Sequence, residues 1–129
     1  MAENKFFVVD SSFILSYLLP DENLPQVEKI FSQYEEGSIE FISTEMLPFE
    51  VFNGLCSALN SKRISKRQLR DLGDRFIKLA IRSIEVDYLA VADLAVSKNL
   101  TFYDACYLYI ENKRKIPLLT LDKALQKLV

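Results

Sequence analysis

The sequence contains no histidine and no tryptophan, and only three of its 129 residues are glycine and two are cysteine. Without histidine there is no ordinary general base near neutral pH, no serine triad of the usual kind and no His-containing zinc site. With so few glycines, neither G-x-G-x-x-G nor the P-loop pattern occurs, which removes the main support for a nucleotide-cofactor fold. Cys56 and Cys106 fall in predicted helices without metal-ligand spacing, and read as small buried apolar residues of a reducing compartment. No apolar run approaches the roughly 20 residues of a membrane span, and no basic stretch followed by an apolar one opens the chain. The expectation is a soluble, cytoplasmic protein with no membrane partner. Whatever chemistry the chain performs falls to its carboxylates.

What is present is a chain with 50% hydrophobic residues, enough for one domain over residues 1–129. The net charge of −2 is unevenly spread. Residues 62–82 hold Lys62, Arg63, Lys66, Arg67, Arg70, Arg75, Lys78 and Arg82 against only Asp71 and Asp74.

Short apolar runs alternate with helical patterns. Phe6–Val9 reads as a strand buried on both faces, and Ser12 to Leu19 as a helix ended by Pro20. Pro25 opens a helix running to about Glu36, and Ile39–Ser43 is a second strand. Thr44 is a candidate cap for a helix to about Asn60, and Ser65 with Gln68 makes a capping box for a helix through about Ile81. Ser83–Val86 is a third strand, Asp87 caps a helix over Tyr88–Lys98, and Thr101 with Asp104 resembles another capping box. Pro117–Leu121 is a fourth strand, with a terminal helix from about Asp122. This alternation predicts an α/β domain with a mainly parallel sheet of four to five strands and helices on both faces.

Four acids stand where apolar runs give way to helices. Asp10 closes the first strand and Asp122 the last, Glu50 lies early in the mid-chain helix, and Asp104 opens another. Ligands of parallel sheets gather at the carboxyl ends of strands, so separate elements can deliver these acids to one place. Each also has an ordinary reading as a helix-terminal acid favoured by the dipole, or as part of a capping box. Glu50 is harder to dismiss. With Asn53, Gly54 and Ser57 it forms a narrow polar stripe on an apolar helix, which favours a polar cavity opposite it.

Four carboxylates about 5 Å apart cost several kcal/mol per ionised pair at an effective dielectric near 20. Protonation of some members offsets that cost, and so does a divalent cation. Oxygen-only donors favour Mg²⁺ or Mn²⁺, as one ion or two. Ser12 and Thr120, each two residues from an acid, offer neutral oxygens, or else serve capping and strand packing.

The segments Val9-Asp10-Ser11-Ser12, Glu50-Val51-Phe52-Asn53-Gly54-Leu55, Tyr103-Asp104-Ala105-Cys106-Tyr107-Leu108 and Leu119-Thr120-Leu121-Asp122 together resemble a PIN domain. The resemblance covers essentially the whole chain, whose length is similar to that of the VapC toxins of prokaryotic toxin–antitoxin pairs. It implies a PIN-like fold and a Mg²⁺- or Mn²⁺-dependent ribonuclease. Asp10, Glu50, Asp104 and Asp122 would be the acidic quartet, with Asp10 and Asp104 as principal metal ligands and Ser12, Asn53 and Thr120 in support. An RNA substrate, a cognate antitoxin and a homodimer are implied in the same way. Asp122 matches the most variable of the four positions.

An acidic pocket repels RNA phosphate, so basic residues nearby must attract the backbone. Lys62, Arg63, Lys66, Arg67 and Arg70 are the candidates. The same charges also fit a solvated helical hairpin, pairing as Arg67 with Asp71, Arg70 with Asp74 and Asp74 with Lys78. Phe13, Tyr17, Phe49, Phe52, Tyr103 and Tyr107 lie on helices near the acids and are expected mainly in the core, with base stacking the alternative. Two non-catalytic functions compete: a PIN-like interaction scaffold, and a receiver-like metal-binding module. The second lacks an acceptor Asp on the middle strand, which ends in Ser43-Thr44.

Overall fold

Val8 and Val9 are adjacent in one strand, so their side chains leave opposite faces of the sheet, and both are fully buried. A strand covered on both sides at that point demands helices above and below it. The computed structural model, which describes residues 5–129, supplies them. Strand β1 (Lys5–Val9) leads into α1 (Ser11–Leu18), a 3-10 turn (Pro20–Glu22) and α2 (Pro25–Glu35). Then follow β2 (Ile39–Thr44), α3 (Leu47–Asn60), α4 (Lys66–Lys78), β3 (Arg82–Ile84), α5 (Tyr88–Lys98), α6 (Phe102–Arg114), β4 (Leu118–Leu119) and α7 (Lys123–Gln126).

The four strands lie in the order β3-β2-β1-β4, and every pairing is parallel. The register sets Val8 against Ile42 on one side and Leu118 on the other, and Thr44 against Ile84. All four strands therefore end along the same edge, where Thr44, Asp10 and Thr120 follow one another across the sheet. On one face Val9 and Phe41 pack with Phe13, Phe31, Val51 and Leu55; on the other Val8, Ile42 and Leu118 pack with Tyr107, Leu108 and Leu125. In the first cluster Tyr17 stacks flat on Phe31 with ring centroids 3.7 Å apart, and the Arg75 guanidinium lies 4.5 Å over the Tyr17 ring.

Several boundaries differ from the sequence expectations. Phe6 is exposed and Phe7 half-buried, so β1 is covered on both faces only at its carboxyl end. Thr44 belongs to β2 and does not cap α3; its hydroxyl accepts the Met46 N–H at 3.1 Å, and Met46 is the residue that enters the helix. Pro48 sits in the first turn, where its missing N–H has no intrahelical acceptor to lose. The capping box of Ser65 and Gln68 forms in both directions. Helix α4 stops at Lys78, because Ala80 turns to φ 51°, and β3 begins earlier than expected, at Arg82. Strand β4 shrinks to two residues, since the Thr120 hydroxyl accepts the Asp122 N–H at 3.0 Å and turns the chain out of the sheet. Cys106 is buried as expected, but Cys56 is exposed, on the side of α3 that borders a groove lined by Phe52, Leu69 and Ile77.

Candidate functional site

Asp10 stands where β1 hands over to α1 and caps that helix from an extended backbone. Its Oδ1 accepts the Phe13 N–H at 3.0 Å and the Ser12 hydroxyl at 2.7 Å, and its Oδ2 accepts the Thr120 hydroxyl. The carboxylate is only 3% exposed. Burial pushes its pKa up, the three hydrogen bonds pull it back, and the charge of Asp122 pushes it up again, with a net rise. The supporting hydroxyls are themselves held. Ser12 Oγ accepts the Leu121 N–H at 2.9 Å and lies 3.4 Å from Thr120 Oγ1. Asp122 in turn caps α7 by accepting the Leu125 N–H at 3.0 Å.

Glu50 sits in the first turn of α3, where the helix dipole favours a negative charge, and is half-buried. Its Oε1 accepts the hydroxyl of Tyr107, a residue of α6 that is 1% exposed. Burial raises the Glu50 pKa, the Tyr107 bond opposes the rise, and Asp104 and Asp10 add to it. Asp104 lies in the first turn of α6, its backbone N–H held by the Thr101 hydroxyl at 3.1 Å. Burial and then the charge of Asp122 raise its pKa.

All four predicted acids therefore belong to one electrostatic group: Asp122 acts on Asp10 and Asp104, while Asp10 and Asp104 act on Glu50. Among the described residues no three His, Cys, Asp or Glu side chains form a ready-made metal cage. The donor chemistry nonetheless suits a hard divalent cation, being all oxygen and anionic, with three carboxyls raised above their ordinary pKa first by burial and then by one another's charge. The Cys106 thiol beside this group is pushed up to about 11, first by burial and then by Glu50, which leaves it protonated and inert.

The polar stripe of α3 behaves differently from its expectation. Only Glu50 is turned toward the other acids. Asn53 and Ser57 are exposed, and Gly54 is pressed against Leu15, so the stripe does not line an enclosed cavity. Glu50 and Asn53 share an open cleft of 250 Å³ with Met46, Phe49 and Tyr103. Of the six aromatics, Phe13, Tyr17 and Tyr107 are core residues and Phe52 is half-buried, whereas Phe49 is 71% exposed and Tyr103 50%.

Lys62, Arg63, Lys66, Arg67 and Arg70 all lie on the surface. Arg63 is engaged, donating to Asp21 at 2.8 and 2.9 Å and to Glu22. The expected pairs of Arg67 with Asp71 and Arg70 with Asp74 do not form; Asp74 is taken by Lys78 at 2.8 Å, a single i,i+4 contact. The residue that sequence reasoning passed over as a partner is Tyr107. It stands three residues after Asp104, which places both on one side of α6, and that spacing was the available signal.

A family model described as the PIN domain matches residues 7–129. Ribonuclease VapC3 of Pyrobaculum aerophilum is 30% identical over 122 residues, covering 92% of this chain and 90% of its own. Among solved structures, the crystal structure of PAE2754 from Pyrobaculum aerophilum matches with a TM-score of 0.69 over 94% of this chain and 82% of that one, at 20% identity.

Proposed function

The chain belongs to the PIN-domain family, and from that premise we propose that it is a Mg²⁺- or Mn²⁺-dependent endoribonuclease, the toxin of a toxin–antitoxin pair. The name of its relative, a ribonuclease, supports the substrate class. The observation that carries the reading is the coupling of four carboxylates from four separate elements, three of them held above their ordinary pKa.

In this reading Asp10, Glu50, Asp104 and Asp122 hold the cation, with Ser12, Asn53 and Thr120 in support. When bound, Mg²⁺ or Mn²⁺ polarises the phosphoryl oxygen, lowers the pKa of a water and balances the charge of the departing oxygen. The chain's own contribution is positional. Three donors hold the Asp10 carboxylate, so it gives up little conformational freedom on binding a ligand. Glu50 and Asp104 approach from α3 and α6. Lys62, Lys66, Arg67 and Arg70 attract the RNA backbone, with Arg63 the most encumbered of the five candidates.

A cognate antitoxin, a cytoplasmic setting and a homodimer complete the proposal. No helix among the described residues is long and apolar enough to cross a membrane. A monomeric mass at micromolar concentration would count against the dimer.

The test is cleavage of single-stranded and structured RNA with Mg²⁺ or Mn²⁺, alongside Asp10→Asn. Cleavage by the parent and loss in the variant are expected; equal cleavage by both would sink the nuclease. One observation favours a second reading, a non-catalytic PIN-like interaction module: the absence of a ready-made metal cage among the described residues. An intact fold that binds no Mn²⁺ in titration calorimetry would favour it over the nuclease.

A further inference from the structure

Tyr107 is the largest fully buried side chain in the described structure, and a buried phenol needs a partner for its hydroxyl. Any backbone carbonyl of the surrounding core would have met that need. The partner is instead Glu50 Oε1, across 57 residues of sequence and between two helices. A hydrogen bond to a carboxylate is roughly twice as strong as one between neutral groups, and it fixes the acceptor's direction. The donor is also neutral. An Arg or Lys in its place would cancel the negative charge of Glu50, whereas a phenol orients the carboxylate and leaves the charge in place.

From this geometry we infer that Tyr107 is a positioning residue for Glu50: its hydroxyl holds one carboxylate oxygen and leaves the other for a cation that Asp10 and Asp104 would also hold. The inference rests on the metal-dependent reading above. Helix α6 then has two duties at one site. It brings Asp104 in its first turn, and one turn later it sets the orientation of an acid carried by α3. Partners of ligating carboxylates typically affect metal affinity by 10–100-fold, which is the scale expected here.

The test compares the full chain, Tyr107→Phe, Glu50→Gln and the double variant. Phenylalanine keeps the ring that packs in the core and removes only the hydroxyl, and melting curves of all four proteins check that the fold is kept. Mn²⁺ affinity is read by titration calorimetry without RNA. Tyr107→Phe is expected to weaken Mn²⁺ binding about tenfold in the parent and less than about twofold when Glu50→Gln is already present. Turnover of RNA should fall while KM for RNA stays the same. Unchanged Mn²⁺ affinity in Tyr107→Phe, or an equal loss in both backgrounds, overturns the inference and reduces Tyr107 to a core residue. A parent chain that binds no Mn²⁺ at all overturns the metal-dependent reading instead, and this inference with it.

Discussion

Thr120 and Asp10, 110 residues apart, are joined by a hydrogen bond in which the threonine hydroxyl donates to Asp10 Oδ2. The same hydroxyl oxygen accepts the Asp122 N–H, so one side chain ties the end of β1 to the turn that leaves β4. Thr120→Val keeps the shape and removes both bonds. It should cost about 1–2 kcal/mol in urea denaturation. RNA cleavage should fall about tenfold, with Thr120→Ser retaining most of it. A valine variant that cleaves as fast as the parent would show that Asp10 needs no such restraint.

The raised carboxyls make stability depend on pH in a definite direction. A group whose folded pKa lies above its unfolded value stabilises the fold while protonated, and that stabilisation is lost as pH rises through the folded pKa. Asp10 is such a group, first because of burial. Asp10→Asn removes its share, so the stability of the variant minus that of the metal-free parent should grow as pH rises above the ordinary carboxylate range. Denaturant titrations at several pH values check this; a difference that shrinks with pH would contradict it.

Adding Mn²⁺ should raise the melting temperature of the parent, and more at about pH 8 than at about pH 5, because protons compete with the cation for the same oxygens. Removing the metal with a chelator should return the melting temperature to its starting value and stop RNA cleavage. Retained cleavage after chelation would exclude a metal-dependent nuclease.

The surface cations divide into engaged and available groups. Replacing Lys66, Arg67 and Arg70 together by Ala should raise KM for RNA, leave kcat little changed, and flatten the salt dependence of binding by about one unit of log–log slope per lost phosphate contact. Arg63→Ala should change binding less, since Asp21 and Glu22 already occupy its guanidinium. Equal effects from the two variants would point to a different path for the RNA.

Gly54 lets α1 and α3 approach closely: a Cβ there would clash with Leu15 Cδ1 and lie 3.0 Å from Leu15 Cδ2. These helices carry Asp10 at the cap of one and Glu50 in the first turn of the other. Gly54→Val should therefore destabilise by about 1–3 kcal/mol and weaken Mn²⁺ binding as well. Gly54→Ala should be milder, because Leu15 is only half-buried and can swing away. Denaturation and calorimetry on both variants separate the two effects.

Local chemistry made most of the elements legible. Ser65 with Gln68 announced α4, Asp87 announced α5, Asp10 marked the end of β1, and Asp122 marked the start of α7 but not the end of β4, which stops at Leu119. Thr44 misled because a Thr before a helix resembles a cap, while its place in β2 depends on pairing with Ile84, a contact forty residues away. Cys56 misled because an apolar helix does not declare which side its neighbours cover. Tyr107 reads as a core aromatic by periodicity; its spacing from Asp104 puts it on the side of the acids, but that its hydroxyl reaches Glu50 depends on how α3 and α6 pack. The acids were legible as a group, because parallel strands end along one edge; which of them act on which depends on the sheet order and on how α3 and α6 pack.

Strand β4 pairs with β1 through two residue pairs only, yet it supplies Thr120 and leads to Asp122. During synthesis the ribosome emits Asp10 early, and its partner hydroxyl more than a hundred residues later. Non-local pairings of this kind form last, since loop closure must precede the contact that rewards it. A chain without residues 118–122 would have neither the donor on Asp10 Oδ2 nor the fourth acid. The topology thus sets an order: the hydrogen-bonded surroundings of Asp10 are complete only once the segment around Thr120 has docked.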